Sequence, residues 1–445
     1  MEDPRLSRMY ATLWGRKLSQ VRHNAWRWMM KRSGLLMTIG TTAILLLVAL
    51  ALKERGRGHL TKLRTELNVR SAAPHKTAPL LPGGQDAVVL SRTQVADMGT
   101  PEFVSATLLP GRGMNVLQIV AYIPQKGEVN LLASPDLDEA AKLLSGAGED
   151  SNGSASLTMG GAIEAPWAGR IWGAATADGT RIDAMWRGHD LSLPAARSEL
   201  NEIAISAGGL LLKRRADAVK THVMPDGGEA QVIYDAGNFD GHWISQTEIT
   251  TTVQLSGRSL EMSVSARNTG NQAEPIGIGW QPRFAVLNKD RRQILLKLPN
   301  ALHAEVADER SGKPSGKLKP VEGTQYDFTE RNGARLGTID LNDSFVHLKP
   351  GLFDNGPIAE LRDPANNYGL RITLMSTSIK AIRVYAPADA SFVSIDPQFN
   401  YDDPFGRQWA KGEDTGMVVL QPGQTVQWKI RLEIFSLAGD ASQHL

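Results

Sequence analysis

The sequence predicts an all-β fold, a large antiparallel β-sandwich, preceded by one N-terminal transmembrane helix. Three observations lead there. Short runs in which apolar and polar residues alternate recur through the chain beyond residue 87, and a period of two marks half-buried strands. One segment outside the N-terminal region carries clear helix start and stop signals. Ser33 to Leu52 is an uncharged run rich in Leu, Ile, Ala and Val, and about 20 such residues span a hydrocarbon core of about 30 Å.

Composition sets the outer bounds. The 445 residues suffice for one large domain or two ordinary ones. A hydrophobic share of 42% and a charged share of 22% are those of a globular protein. The net charge of +2 gives no electrostatic case for nucleic acid, because phosphate binding needs a clustered basic surface. With no cysteine, disulfides, thiolate nucleophiles and Cys-based metal sites are excluded. Absence of cysteine also fits an exported domain without requiring one.

In chain order, residues 1–32 form a basic cytoplasmic segment that includes Arg5, Arg8, Arg16, Lys17, Arg22, Arg27, Lys31 and Arg32. Residues 33–52 follow as the membrane helix. Lys53, Glu54, Arg55 and Arg57 come directly after it instead of a small-residue cleavage site, which reads as an uncleaved anchor. The larger basic block lies on the N-terminal side, so the positive-inside rule favours an inner-membrane anchor with the large domain in the periplasm. Residues 53–86, with Pro74, Pro79, Pro82, Gly83 and Gly84, read as a linker. Residues 87–445 show no second break of that kind and no repeat.

Within that domain, Ile249, Thr251, Val253 and Leu255 alternate with polar neighbours, and after Ser256-Gly257-Arg258-Ser259 the pattern resumes at Leu260, Met262, Val264 and Ala266. Two such runs about a short Gly-containing turn predict a hairpin. Leu370, Ile372 and Leu374 predict another strand, as do Met417–Leu420 and the run Val426, Trp428, Ile430, Leu432, Ile434. The expected helix spans Ser134 to Ser145, capped by Ser134, with Pro135 in its first turn and ended by Gly146. One helix among many strands argues for a sandwich.

Several segments then fall in a familiar order. Leu109-Pro110-Gly111-Arg112-Gly113-Met114 precedes Gly127-Glu128-Val129-Asn130; Ala165-Pro166-Trp167-Ala168-Gly169-Arg170-Ile171 follows; then come Gly277-Ile278-Gly279-Trp280-Gln281-Pro282-Arg283-Phe284, Leu341-Asn342-Asp343-Ser344-Phe345, Ile395-Asp396-Pro397 and Leu420-Gln421-Pro422-Gly423. Over roughly residues 87–435 this series resembles the aldose 1-epimerase family, the galactose mutarotase-like proteins. The resemblance implies a galactose mutarotase-like supersandwich and interconversion of sugar anomers, in which a base takes the C1 hydroxyl proton while an acid protonates the ring oxygen, each group typically worth about 10²–10⁴-fold.

Carried over position by position, the resemblance makes Asp396 the base, one methylene shorter than the family's Glu, and Gln281 the replacement for its acid His. A Gln has no proton to give near neutral pH. Arg170 matches the family's sugar-binding Arg, Asp343 its acidic sugar ligand, and Trp280 and Arg283 flank Gln281 in the expected substrate-binding set; Arg283 stands where the motif usually has Tyr. The family's second His belongs near Ile205–Gly208, where this chain has none. Each assignment has a plainer alternative: a surface Arg beside a turn, an Asp–Pro turn, a capping Asp. His189, His222, His242, His303 and His347 lie scattered in the domain; His242 precedes a strand and is a candidate to border a cleft, with a structural or solvated role as its alternative. The cluster from Phe399 to Trp409 is either a pocket rim or a loop anchored by its aromatics. No His pair has metal-ligand spacing, so no catalytic metal and no cofactor are expected.

Two functions follow. One is a membrane-anchored, epimerase-like protein that binds a sugar or glycan in a mutarotase-type cleft, with weak or altered chemistry at the anomeric carbon. The other is a non-catalytic carbohydrate-binding module in envelope polysaccharide assembly or sensing. The expected partners are a sugar or glycan and, through one helix, the membrane; whether the chain is an enzyme stays open at this level.

Overall fold

The alternating runs become paired strands. Ile249, Thr251, Val253 and Leu255 are buried along the strand Thr247–Leu255, which pairs with Ser259–Asn268 so that Leu255 lies across from Leu260. The turn closes through the Ser256 N–H donating to the Ser259 carbonyl at 2.8 Å. The computed structural model describes residues 81–440 apart from 94–98, 125, 146–147, 197–203 and 309–310. The basic segment 1–32, the membrane helix expected at 33–52 and the linker up to residue 80 lie outside the described residues. Among the described residues no helix is long and apolar enough to cross a membrane.

Two large antiparallel sheets make up the fold. The first has eleven strands, in the order Val88–Ser91, Glu102–Leu109, Asn115–Ile123, Gly161–Glu164, Gly279–Ala285, Phe392–Gln398, Ala381–Ala386, Leu341–Lys349, Asn300–Asp308 and Lys313–Pro320, with Gly127–Asn130 added beside Asn115–Ile123. The second has nine, in the order Ala218–Met224, Gly227–Gly237, Thr247–Leu255, Ser259–Asn268, Thr425–Ser436, Tyr368–Leu374, Ile358–Asp363, Leu295–Lys297 and Ala334–Arg335. The expected all-β sandwich is therefore present.

One continuous core joins them. Trp280, Phe284, Ile395 and Val384 from the first sheet pack in the same cluster as Val232, Ile249, Val264, Trp428 and Ile430 from the second. Because side chains alternate faces along a strand, the residues next to these on the first sheet face away from the core. That outer face carries the candidate site.

The helix differs from expectation. It runs Leu137–Leu143, and its cap is Asp136, whose side chain accepts from the Glu139 N–H at 2.9 Å. Pro135 disfavours helical backbone at the residue before it. Ser134 instead accepts from Asn130 Nδ2 at 2.9 Å. Gly146, its expected terminator, lies outside the described residues. The described end of the predicted linker packs on the domain: Gly83 N–H donates to the Leu144 carbonyl at 3.2 Å and Gln85 Nε2 to the Ala216 carbonyl at 2.8 Å.

Candidate functional site

Strand register builds the site. Gly279 lies across from Gln398 and Arg283 from Ser394, which sets Gln281 opposite Asp396 on the outer face. On the next strand Arg383 lies across from Asp396, and one strand further Asn342 pairs with Tyr385. On the other side Glu164 lies across from Gly279. A single surface thus gathers Glu164, Gln281, Arg283, Asn342, Arg383 and Tyr385. A short two-stranded sheet, Arg170–Trp172 with Ile205–Ala207, flanks it. Together these residues line a cleft of about 900 Å³, at the upper end of the roughly 300–1,000 Å³ common for ligand pockets.

Charge is arranged around Arg383. Its Nη2 donates to Asn342 Oδ1 at 2.7 Å and its Nη1 to Asp396 Oδ2 at 3.2 Å, while Nε lies 3.7 Å from Asp402 Oδ2. Burial alone lowers the pKa of this guanidinium, but Asp402, Asp396 and Glu164 outweigh it and raise the net value. Asp402 also holds Arg170: it accepts from the Arg170 backbone N–H at 2.9 Å and from Nη2 at 2.8 Å. Burial pushes Asp402 up, yet the two arginines win and hold it below the usual carboxylate range. Gly169, at φ +67°, permits this approach, since a Cβ there would strike the Asp402 carboxylate.

Two carboxyl groups have raised pKa values. Glu164 is buried, and desolvation lifts it to about 8 despite the Gly169 N–H it accepts at 2.9 Å. Asp396 is lifted by desolvation to about 6, against the pull of Arg383 and Ser394. The Ser394 hydroxyl lies 2.5 Å from both Asp396 Oδ1 and the Pro282 carbonyl. It has one proton for two acceptors. When Asp396 is protonated, its own O–H donates to Ser394 and frees that proton for Pro282.

The expected residues are distributed unevenly. Gln281, Arg283 and Arg170 line the cleft. Asp396 is 2% exposed and lies under Arg383 rather than on the lining. Trp280 is corrected: it is fully buried, in edge contact with Phe284 at 6.0 Å, on the core side of the strand that carries Gln281. It cannot reach a cleft ligand. Asp343 is likewise corrected. It faces inward and meets His303 Nε2 at 2.8 Å, while its neighbour Asn342 takes the cleft position. His303 itself stacks on Tyr326 at 3.9 Å, away from the cleft. His242 Nδ1 lies 2.5 Å from the Ser192 carbonyl and lines an adjoining pocket of about 60 Å³. At the position of the absent second His, Ile205 and Ala207 face the cleft.

The loop from Phe399 to Trp409 is anchored by its aromatics, and none of its residues is on the cleft lining. Tyr401 and Trp409 meet edge-on at 5.2 Å and pack over Ala304, Val346 and Ala381 on the outer face. Its carboxylates hold the cleft's flank: Asp403 accepts from the Trp172 N–H at 3.1 Å beside the Asp402 contacts to Arg170.

The aldose 1-epimerase family profile matches residues 133–433. The chain belongs to the aldose 1-epimerase family. Solved structures agree on the fold. A galactose mutarotase-like protein from Clostridium acetobutylicum aligns at TM-score 0.60 with 16% identity, over 79% of this chain and 99% of its own. An aldose epimerase homologue from C. elegans aligns at 0.58 with 15% identity, over 79% and 99%. Galactose 1-epimerase from Lactobacillus acidophilus aligns at 0.54 with 14% identity, over 78% and 98%. No curated protein matches the chain.

Within this family member, Glu164 and Arg383 are the charged cleft residues that the sequence reading missed, beside the neutral Asn342 and Tyr385. Each charge left a signal. Glu164 closes the strand Gly161–Glu164, whose four residues are all buried, and Arg383 is the sole charge in Ala381–Ala386. A charge inside an apolar strand needs a partner.

Proposed function

We propose that this chain binds a sugar or glycan in the cleft on the outer face of the eleven-stranded sheet, with weak or altered chemistry at the anomeric carbon. The observation that carries the reading is the set of hydrogen-bonding groups that this family member gathers on one face: Gln281, Arg283, Asn342, Arg383 and Tyr385, with Arg170 on the flank. Gln281 Oε1 is buried without a partner, an acceptor suited to a sugar hydroxyl. Arg170, held by Asp402, positions the ligand.

The chemistry is argued from protons. Gln281 supplies none, and Asp396 is screened by Arg383. What favours residual epimerase activity is the pair Glu164 and Asp396, displaced by burial to about 8 and about 6. At pH 7 the first is protonated and the second ionised, the acid and base states that ring opening needs. In this reading Glu164 protonates the ring oxygen, Asp396 receives the C1 hydroxyl proton through a shift of Arg383, and Gln281 hydrogen-bonds the ring. The alternative is a non-catalytic carbohydrate-binding module in envelope polysaccharide assembly or sensing, which the loss of both family imidazoles favours.

The test uses the full chain in detergent. Titration with galactose, glucose and short glycans should show saturable heat, lost in Arg170→Ala; a flat response across the panel removes the binding reading. Polarimetry of galactose or glucose should show mutarotation faster than buffer and slowed by Asp396→Asn; equal traces with and without protein leave the binding module.

The domain is further proposed to be held at the inner membrane by a helix over residues 33–52, facing the periplasm. The uncharged run between two basic flanks supports this.

A further inference from the structure

Three guanidiniums line the cleft, and they are not equivalent. Arg170 is paired with Asp402, and Arg383 with Asp396. Arg283 has no counter-ion: among the described residues its guanidinium forms no hydrogen bond or ion pair, and its Nε is buried without a partner. Burial lowers its pKa, but an arginine stays charged in proteins. What supports the group is aromatic. Its centre lies 4.6 Å from the Phe392 ring and 5.9 Å from the Tyr385 ring. These contacts orient the fork without neutralising it.

The nearby carboxylates do not contact it, although Tyr385 and the charge of Asp396 act on it at a distance and raise its pKa against burial. Asp396 is engaged by Arg383 and Ser394, and Asp402 by Arg170 and Arg383. Asp150, on the cleft wall, is joined to Arg112 through both oxygens. A half-buried cation without a contacting anion is partly desolvated and uncompensated, and a planar fork matches a carboxylate or phosphate through two parallel bonds. Two residues earlier on the same face stands Gln281, whose free Oε1 accepts from a hydroxyl.

Resting on the proposed sugar-binding role of this cleft, we infer that its ligand is an acidic sugar, with the anionic group on Arg283 and a neighbouring hydroxyl on Gln281. The shared chemistry is a sugar-borne anion, either the carboxylate of a uronate or a phosphate ester.

Isothermal titration of the full chain in detergent decides the matter, with galactose, glucose, galacturonate, glucuronate and glucose 6-phosphate as probes. The acidic sugars should bind about 10- to 100-fold tighter than their neutral parents, and the preference should shrink as salt is raised. In Arg283→Gln the ratio of acidic to neutral affinity should fall to near one. Arg283→Lys keeps the charge and loses the fork, so it should retain part of the ratio and serves as the second variant where Gln impairs folding. The order of uronate and phosphate identifies the anion. Neutral sugars binding as tightly as acidic ones, or a preference unchanged in both variants, overturns the inference and leaves sugar binding intact. No binding by any probe overturns both.

Discussion

Arg383 shows how a single residue sets the character of the cleft. It neutralises Asp396 and approaches Asp402 while its remaining edge donates to Asn342. Removing one partner of a buried ion pair leaves uncompensated charge and costs about 3–5 kcal/mol. Arg383→Met should therefore lower the unfolding free energy by about that amount in urea titration; a change under about 1 kcal/mol would mean that Asp396 and Asp402 are neutralised in another way. Glu164 makes a prediction in pH. Its pKa rises from an ordinary 4.5 to about 8 on folding, so between those values the folded chain holds a proton that the unfolded chain releases. The stability this contributes is complete below pH 4.5 and is lost as pH rises through 8. Asp396 and Glu274, raised by burial to about 6 and about 7, act with the same sign. Melting temperature should thus fall from pH 5 toward pH 9, and fall less in Glu164→Gln. Parallel curves for the two proteins would contradict the buried, protonated carboxyl.

At the scale of the strand, Gly279–Ala285 divides two functions between its faces. Trp280 and Phe284 belong to the core, and Gln281 and Arg283 to the cleft. Trp280→Ala should cost about 3–5 kcal/mol through the cavity it leaves, while Gln281→Ala should cost under about 1 kcal/mol, as a half-buried side chain with no hydrogen bond to lose. Paired denaturation curves read both; similar losses would refute the division of faces. The same alternation explains where sequence reading succeeded and failed. Strand period was legible at Ile249–Leu255 and Val426–Ile434 because burial repeats every second residue. A motif, by contrast, names neighbours without naming faces. Trp280 beside Gln281, and Asp343 beside Asn342, each belong to the opposite side of the sheet from the residue next to them. Arg170, Gln281 and Arg283 were legible because they fall within the family's motifs. Glu164 and Arg383 lie outside the matched positions, and only pairing between strands distant in sequence brings them to the site.

For the molecule as a whole, the sandwich and the family were legible because several motifs keep their order over most of the domain, and spacing of that kind survives heavy substitution. The proposed anchor concerns the other end of the chain and is tested separately. Full-length protein should sediment with membranes and resist alkaline carbonate, and a chain lacking residues 33–52 should move to the soluble fraction. Sedimentation unchanged by that deletion would reject the anchor at this position.

Asp402, Asp403 and Asn400 reach back 231 and 232 residues to fix the backbone around Ala168–Trp172, and the strand Thr425–Ser436 fills the middle of the nine-stranded sheet. Synthesis therefore supplies these pieces after most strands of the domain. The domain must emerge through Ser436 before the nine-stranded sheet can close, and its sticky inner faces stay open to unwanted company throughout that interval. A domain cut short before Thr425 lacks the strand that joins the two halves of that sheet and becomes a polypeptide for chaperones and proteases to sort.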